Sequence, residues 1–200
     1  MRAGVYRGIR QVPIEDVPDP SPGPRDIVLE VRACGICGSD LHTYAQGLFA
    51  EEGQVMGHEF AGVVSETAAD VRGWTVGDRV AVRPIDECGD CTACRSDDGV
   101  CLTGVVRGPG LGRPGGLAES VTVPSRMLHR IPDTVSLRDA ALTEPLAVAV
   151  RAVGRADWVQ VGALTGQPGQ QPHLVLLGGF QRRDLAGLAL VVQRGHELRF

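Results

Sequence analysis

Four short runs of the chain either alternate apolar with polar positions or crowd apolar positions together. They are "DIVLEVRAC" (26–34), "EFAGVVSE" (59–66), "DRVAVRP" (78–84) and "AESVTVPS" (118–125). Each is rich in β-branched residues and bounded by Pro, Gly or Asp, which predicts a strand in each case. Short strands at this spacing predict a compact, barrel-like all-β body. "PDPSPGPRD" (18–26) reads as an extended connector, because each proline fixes its own φ and removes a donor.

The pattern changes at "SLRDAALTEPLAVAVRAVGRA" (136–156). Ser136 can cap, Ala and Leu dominate, and a helix is predicted, with Pro145 marking a break or a new helix start. A boundary between two structural units is expected near residue 150. Beyond it, "WVQVGALTGQPGQQ" (158–171) reads as loop, "HLVLLGGF" (173–180) as a buried strand ending in glycines, and "DLAGLALVVQ" (184–193) as a helix. The fold class expected is therefore mainly β with an α/β tail.

Composition adds exclusions. At 200 residues and 43% apolar content the chain can bury a real core. A formal charge of −4 without a basic cluster argues against a nucleic-acid partner. No stretch approaches the roughly 18–20 apolar residues of a membrane span, and "MRAGVYRGIRQV" opens without a long apolar segment. A cytoplasmic location is expected, and with it reduced thiols.

That expectation bears on "ECGDCTACRSDDGVC" (87–101), which holds four of the six cysteines. Cys88, Cys91, Cys94 and Cys101 have the form C-x2-C-x2-C-x6-C, and four thiolates on one tight loop can close a tetrahedron around Zn²⁺ with no position left open. A structural metal site is preferred to disulfides or to a redox-sensing thiol module, whose reactive thiolates would have to stand exposed.

A second group differs in kind. "ACGICGSDLH" (33–42) supplies Cys37, Ser39, Asp40 and His42, and "GHEF" (57–60) supplies His58 and Glu59. Sulfur, imidazole and carboxylate form the mixed set found at catalytic zinc, where three protein ligands leave one position for water or substrate. Alone, His58 and Glu59 also fit a capped turn, and Cys37 a small buried residue. Ser39 and Asp40 also fit the cap of a helix opened by "SDLHTY". Cys34 reads as a core thiol, while His129, His173 and His196 carry no pattern.

Taken in order, "ACGICGSDLH", "GHEFAGVV", "VGDRVAV", the four-cysteine loop, "GGLAESVTVP" and "TEPLAVAV" resemble the zinc-containing medium-chain alcohol dehydrogenases, and within them the sorbitol, threonine and butanediol dehydrogenase branch. The resemblance covers about residues 1–153. It implies a GroES-like β-barrel catalytic domain over 1–153 and, over 154–200, an incomplete Rossmann-like coenzyme segment. It further implies two zinc ions per chain. Cys37 and His58 would hold the catalytic ion, with Glu59 as a third or water-exchanging ligand and Glu144 near the metal, directly or through water. Cys88, Cys91, Cys94 and Cys101 would hold the structural ion. Asp40 would orient a ligand histidine, and Ser39 and His42 would relay the alcohol proton. The implied reaction oxidises a secondary alcohol or polyol to a ketone with NAD or NADP, and such enzymes are homo-oligomers.

Two departures from the family pattern stand out. The spacing between Cys94 and Cys101 is one residue short. More consequentially, Gly178 and Gly179 are the only glycines in place for a G-x-G-x-x-G phosphate loop, because Phe180, Gln181, Arg182 and Arg183 follow. "HLVLLGG" reads either as an eroded opening strand or as a late strand of the coenzyme domain joined through an internal deletion. A second reading of function follows: a non-catalytic zinc-binding protein that keeps the dehydrogenase fold.

Overall fold

A computed structural model describes residues 1–96 and 100–155 of the chain. The strands are β1 (Arg2–Gly4), β2 (Ile14–Asp16), β3 (Asp26–Cys34), β4 (Phe60–Thr67), β5 (Arg79–Val82), β6 (Ser120–Pro124) and β7 (Leu128–Arg130). The helices are α1 (Gly38–Gln46), α2 (Thr92–Ser96), α3 (Leu102–Val106), α4 (Leu137–Ala140) and α5 (Thr143–Arg155). Residues Met1–Ala147 form one compact unit. The expected coenzyme segment, with Gly178 and Gly179, lies outside the described residues.

The four strands predicted from patterning are β3, β4, β5 and β6. β3, β4, β5, β6 and β7 form one antiparallel sheet in the order β6-β3-β4-β5-β7, and β1 pairs with β2 in a separate ribbon. The two edge strands, β6 and β7, are consecutive and joined only by a 3-10 turn at Ser125–Met127. Four Cα steps reach about 14 Å at full extension. A flat five-stranded sheet separates its edges by about 19 Å. The sheet must therefore curl until its edges approach, which is the barrel-like body the strand spacing implied. The Arg83 N–H, just past β5, donates to Met127 O at 2.8 Å, and the Ser125 N–H donates to Arg25 O, just before β3, at 3.0 Å, tying the connection to the strands next to both edges.

Alternation fills the curled interior. Ile27 and Leu29 of β3 face Val123 and Val121 of β6, while Phe60 and Val64 of β4, Val80 and Val82 of β5, and Met127 and Leu128 close the same core. On the other face, Ala33, Ala61 and Ala81 stand in register across β3, β4 and β5. Ala140 and Ala141 pack against this small-residue surface. Ser136 caps α4 by accepting the Asp139 N–H at 3.0 Å, as its position before an Ala-rich run suggested. The new helix start expected at Pro145 is α5, which begins at Thr143 and carries Pro145 in its first turn, where a missing N–H costs nothing.

Phe60 is 1% exposed at the centre of the core. Phe60→Ala is expected to lower unfolding stability by about 3–5 kcal/mol, read as a shift of the denaturant midpoint. Gly57, one residue before the His58–Glu59 pair, has φ +92°, and a Cβ there would meet Cys34 Sγ and Leu117 Cγ at 2.8 Å. Gly57→Ala is expected to cost at least about 1–3 kcal/mol, visible as a lowered Tm; an unchanged Tm would contradict the close approach.

Candidate metal centres

The first centre is assembled where β3 and β4 run out together. Cys34 is paired with Phe60 in the ladder, and the next step continues it, the Gly35 N–H donating to Glu59 O at 2.7 Å. Residues 35–37 and 57–59 are thereby brought side by side although twenty residues separate them. A Cβ at Gly35 would overlap the Glu59 carboxylate, so the chain has no side chain where Glu59 turns inward.

Cys37 is the N-cap of α1. The alternative reading of Ser39 and Asp40 as capping residues holds for Asp40, the acidic member of a capping box, while the N-cap position itself is Cys37 rather than Ser39. Asp40 sits at the third helical position and reaches back, its Oδ2 accepting the Cys37 N–H at 2.8 Å. Its other oxygen, Oδ1, stands 3.8 Å from His58 Nδ1. One buried carboxylate thus borders both Cys37 and His58.

The Cys37 sulfur, a His58 ring nitrogen and a Glu59 carboxylate oxygen all lie within 4.8 Å of one another. Glu59 is buried, while Cys37 and His58 are half-buried, so the three donor atoms gather just beneath the protein surface. Glu144, at the start of α5, does not join this cluster. Burial raises its carboxyl above the usual range; His58 opposes that shift and Glu59 adds to it, which places Glu144 within their electrostatic reach. Ser39 and His42 lie one turn apart on α1, Ser39 half-buried and His42 exposed. Cys34 stays out of the cluster. Burial pushes its thiol up to about 12, with the Asp40 and Glu59 carboxylates adding, so it remains a protonated packing group.

The second centre lies between β5 and α3. All six cysteines are free thiols. Cys88 Sγ and Cys94 Sγ stand 3.9 Å apart, and Cys91 Sγ and Cys94 Sγ 3.5 Å apart. A disulfide would need about 2.05 Å. A tetrahedron with Zn–S bonds of about 2.3 Å has edges of about 3.8 Å, and these separations match it. Backbone donors surround the sulfurs: Cys101 Sγ accepts from Cys88 N–H at 3.4 Å and Gly104 N–H at 3.2 Å, and Cys88 Sγ accepts from Cys91 N–H at 3.4 Å.

These thiols do not ionise alike. The backbone N–H groups of Asp90 and Cys91 draw the Cys88 thiol down to about 6. Cys94 receives the Gly89 N–H, yet desolvation and the three neighbouring sulfurs push it up to about 12. Four negative charges at this spacing repel one another, and a divalent cation removes that conflict. The residues present therefore fit zinc at both centres, as a closed all-sulfur set and as a mixed open one. Residues 97–99, in the shortened stretch before Cys101, lie outside the described residues. Among the described residues, no helix is long and apolar enough to cross a membrane.

Comparison with known proteins agrees with this architecture. Residues 23–133 match the alcohol dehydrogenase GroES-like domain. The chain is 36% identical over 160 residues to a 2-dehydro-3-deoxy-L-galactonate 5-dehydrogenase of Pseudoalteromonas atlantica, covering 78% of this chain and 46% of that protein. It is 34% identical over 179 residues to a sorbitol dehydrogenase of Bacillus subtilis, covering 86% and 50%. The structure of 2R,3R-butanediol dehydrogenase from Bacillus subtilis superposes with a TM-score of 0.66 at 35% identity, over 80% of this chain and 48% of that one. The chain thus spans about half the length of the curated relatives it matches. With its mainly β fold and its motifs in family order, the chain belongs to the zinc-containing medium-chain alcohol dehydrogenase superfamily, in the branch of the sorbitol and butanediol dehydrogenases.

Proposed function

We propose that this chain provides the zinc-binding catalytic part of a dehydrogenase that oxidises a secondary alcohol or polyol hydroxyl with NAD or NADP. The observation that carries the reading is the convergence of the Cys37, His58 and Glu59 donor atoms within 4.8 Å of one another. Zinc held there would supply the Lewis acidity that lowers the pKa of an alcohol hydroxyl, and a nicotinamide coenzyme would supply the hydride acceptor.

The chain's own residues divide the remaining work. Cys37 Sγ and the His58 imidazole would hold the cation, and the buried Glu59 would complete the set or exchange with water at the third position. Asp40 sets the Cys37 backbone through its hydrogen bond and faces His58 Nδ1 at 3.8 Å, so one carboxylate restrains both ligands. Ser39 Oγ accepts the proton of the substrate hydroxyl, and the exposed His42 imidazole one turn further passes it to water. Glu144, its carboxyl raised by burial, can hold a proton or a water at the margin of the site. The four cysteines hold a second ion that fixes their lobe and takes no part in the reaction.

A second reading is favoured by one sequence observation. Phe180, Gln181, Arg182 and Arg183 stand where later glycines of a phosphate loop would fall, which supports a non-catalytic zinc-binding protein that keeps the dehydrogenase fold.

Elemental analysis of the purified chain is expected to find about two zinc ions, and His58→Ala is expected to retain about one. A wild-type chain with fewer than one would overturn the reading. Saturable quenching on NADH titration separates the catalytic reading from the non-catalytic one. For turnover of a secondary alcohol, Ser39→Ala is expected to lower kcat by about 10²-fold or more with zinc content unchanged. A variant with wild-type kcat would remove Ser39 from the proton path.

A further inference from the structure

Among its described residues, the four-cysteine lobe has little of the packing that holds the rest of the unit. α2 buries no residue and α3 buries only Gly104, while Leu102 and Val106 stand 76% and 62% exposed. Something other than apolar burial must fix the lobe's position on the barrel.

One buried carboxylate lies at the join. Asp86, 3% exposed and two residues before Cys88, receives three arginines. Arg113 Nη2 donates to Asp86 Oδ2 at 2.8 Å, and Arg126 Nη2 donates to Oδ1. Arg107 Nε stands 3.9 Å from Oδ2 and its Nη2 donates to the Asp86 carbonyl at 2.7 Å. Arg126 belongs to the turn that closes the barrel, whereas Arg107 and Arg113 leave the lobe just past α3. Arg113 also holds Arg107 in place, its Nε donating to Arg107 O at 2.8 Å. A carboxylate buried this deeply persists because its charge is neutralised and its oxygens are occupied.

The connection reaches the sulfurs through the backbone. The Asp86 N–H donates to Gly104 O at 3.0 Å, the Gly104 N–H donates to Cys101 Sγ at 3.2 Å, and Cys88, two residues along, donates its own N–H to the same sulfur at 3.4 Å. Moving Asp86 therefore moves the donors that orient Cys101 and the start of the loop that carries Cys88.

We propose that Asp86 is a positioning residue for the four-cysteine metal site: its arginine clamp presets Cys88 and Cys101 and slows loss of the ion. The proposal rests on the reading that these cysteines bind a divalent metal. It acts through the ligands, with no contact between Asp86 and the ion.

The test uses the full chain loaded with Co²⁺ or Zn²⁺. In the Co²⁺ form, the four-thiolate site is told from the single-thiolate site at Cys37 by its stronger charge-transfer absorption and its tetrathiolate ligand-field bands, and their decay in excess chelator gives the release rate. Asp86→Asn, which keeps the shape and loses the charge, is expected to release the four-sulfur ion about 10–100-fold faster. Release from the Cys37–His58–Glu59 site should stay unchanged. Arg126→Gln, at a side chain 55% exposed, is expected to accelerate the same release by a smaller factor and covers the case in which Asp86→Asn does not fold. Unchanged release in a folded Asp86→Asn, or in Arg126→Gln where Asp86→Asn does not fold, would overturn the proposal. So would equal acceleration at both sites, the mark of general destabilisation. A wild-type chain that never shows the four-thiolate spectrum would instead overturn the metal reading beneath it.

Discussion

The pairing of β3 with β4 is the constraint on which the first centre depends. Its register sets Cys34 opposite Phe60, and the hydrogen bond from Gly35 to Glu59 carries the ladder one step past the strands. The candidate chemistry follows within six residues of that pairing: Cys37 turns into the helix, His58 and Glu59 turn in to meet it, and Asp40 faces both. A shift of one residue would put Glu59 on the opposite face of the sheet and dissolve the cluster. Phe60 anchors that register from within the core, so the packing of the barrel and the geometry of the candidate metal ligands are one problem rather than two.

The two centres solve different physical problems. At the first, a mixed set of sulfur, imidazole and carboxylate donors is held by strand ends and a helix N-cap, the donor set suited to an open, reactive zinc. At the second, four sulfurs at van der Waals separation close on themselves in a lobe with almost no apolar interior. There a bound ion would substitute for a core, and the buried carboxylate of Asp86 joins that lobe to the barrel through charge.

Much of this was legible in the sequence because the signals are local. Alternation exposed the four longer strands, and the tight spacing of four cysteines exposed the sulfur site before any distance was known. β1, β2 and β7 escaped notice because three residues are too few to show a period. Cys37 was hidden as an N-cap because a thiol is not among the usual capping groups, and the carboxylate at Asp40 drew attention to itself instead. The Asp86 clamp was invisible for another reason: its arginines come from 21, 27 and 40 positions further along, and nothing in a linear reading brings them together.

The most direct test of the account is zinc K-edge X-ray absorption on the purified chain. Four sulfurs at one site and one at the other predict a first shell averaging about 2.5 sulfurs per ion at about 2.3 Å, with nitrogen and oxygen scatterers at about 2.0–2.2 Å. A shell of nitrogen and oxygen alone, or a chain that carries no zinc, would contradict it.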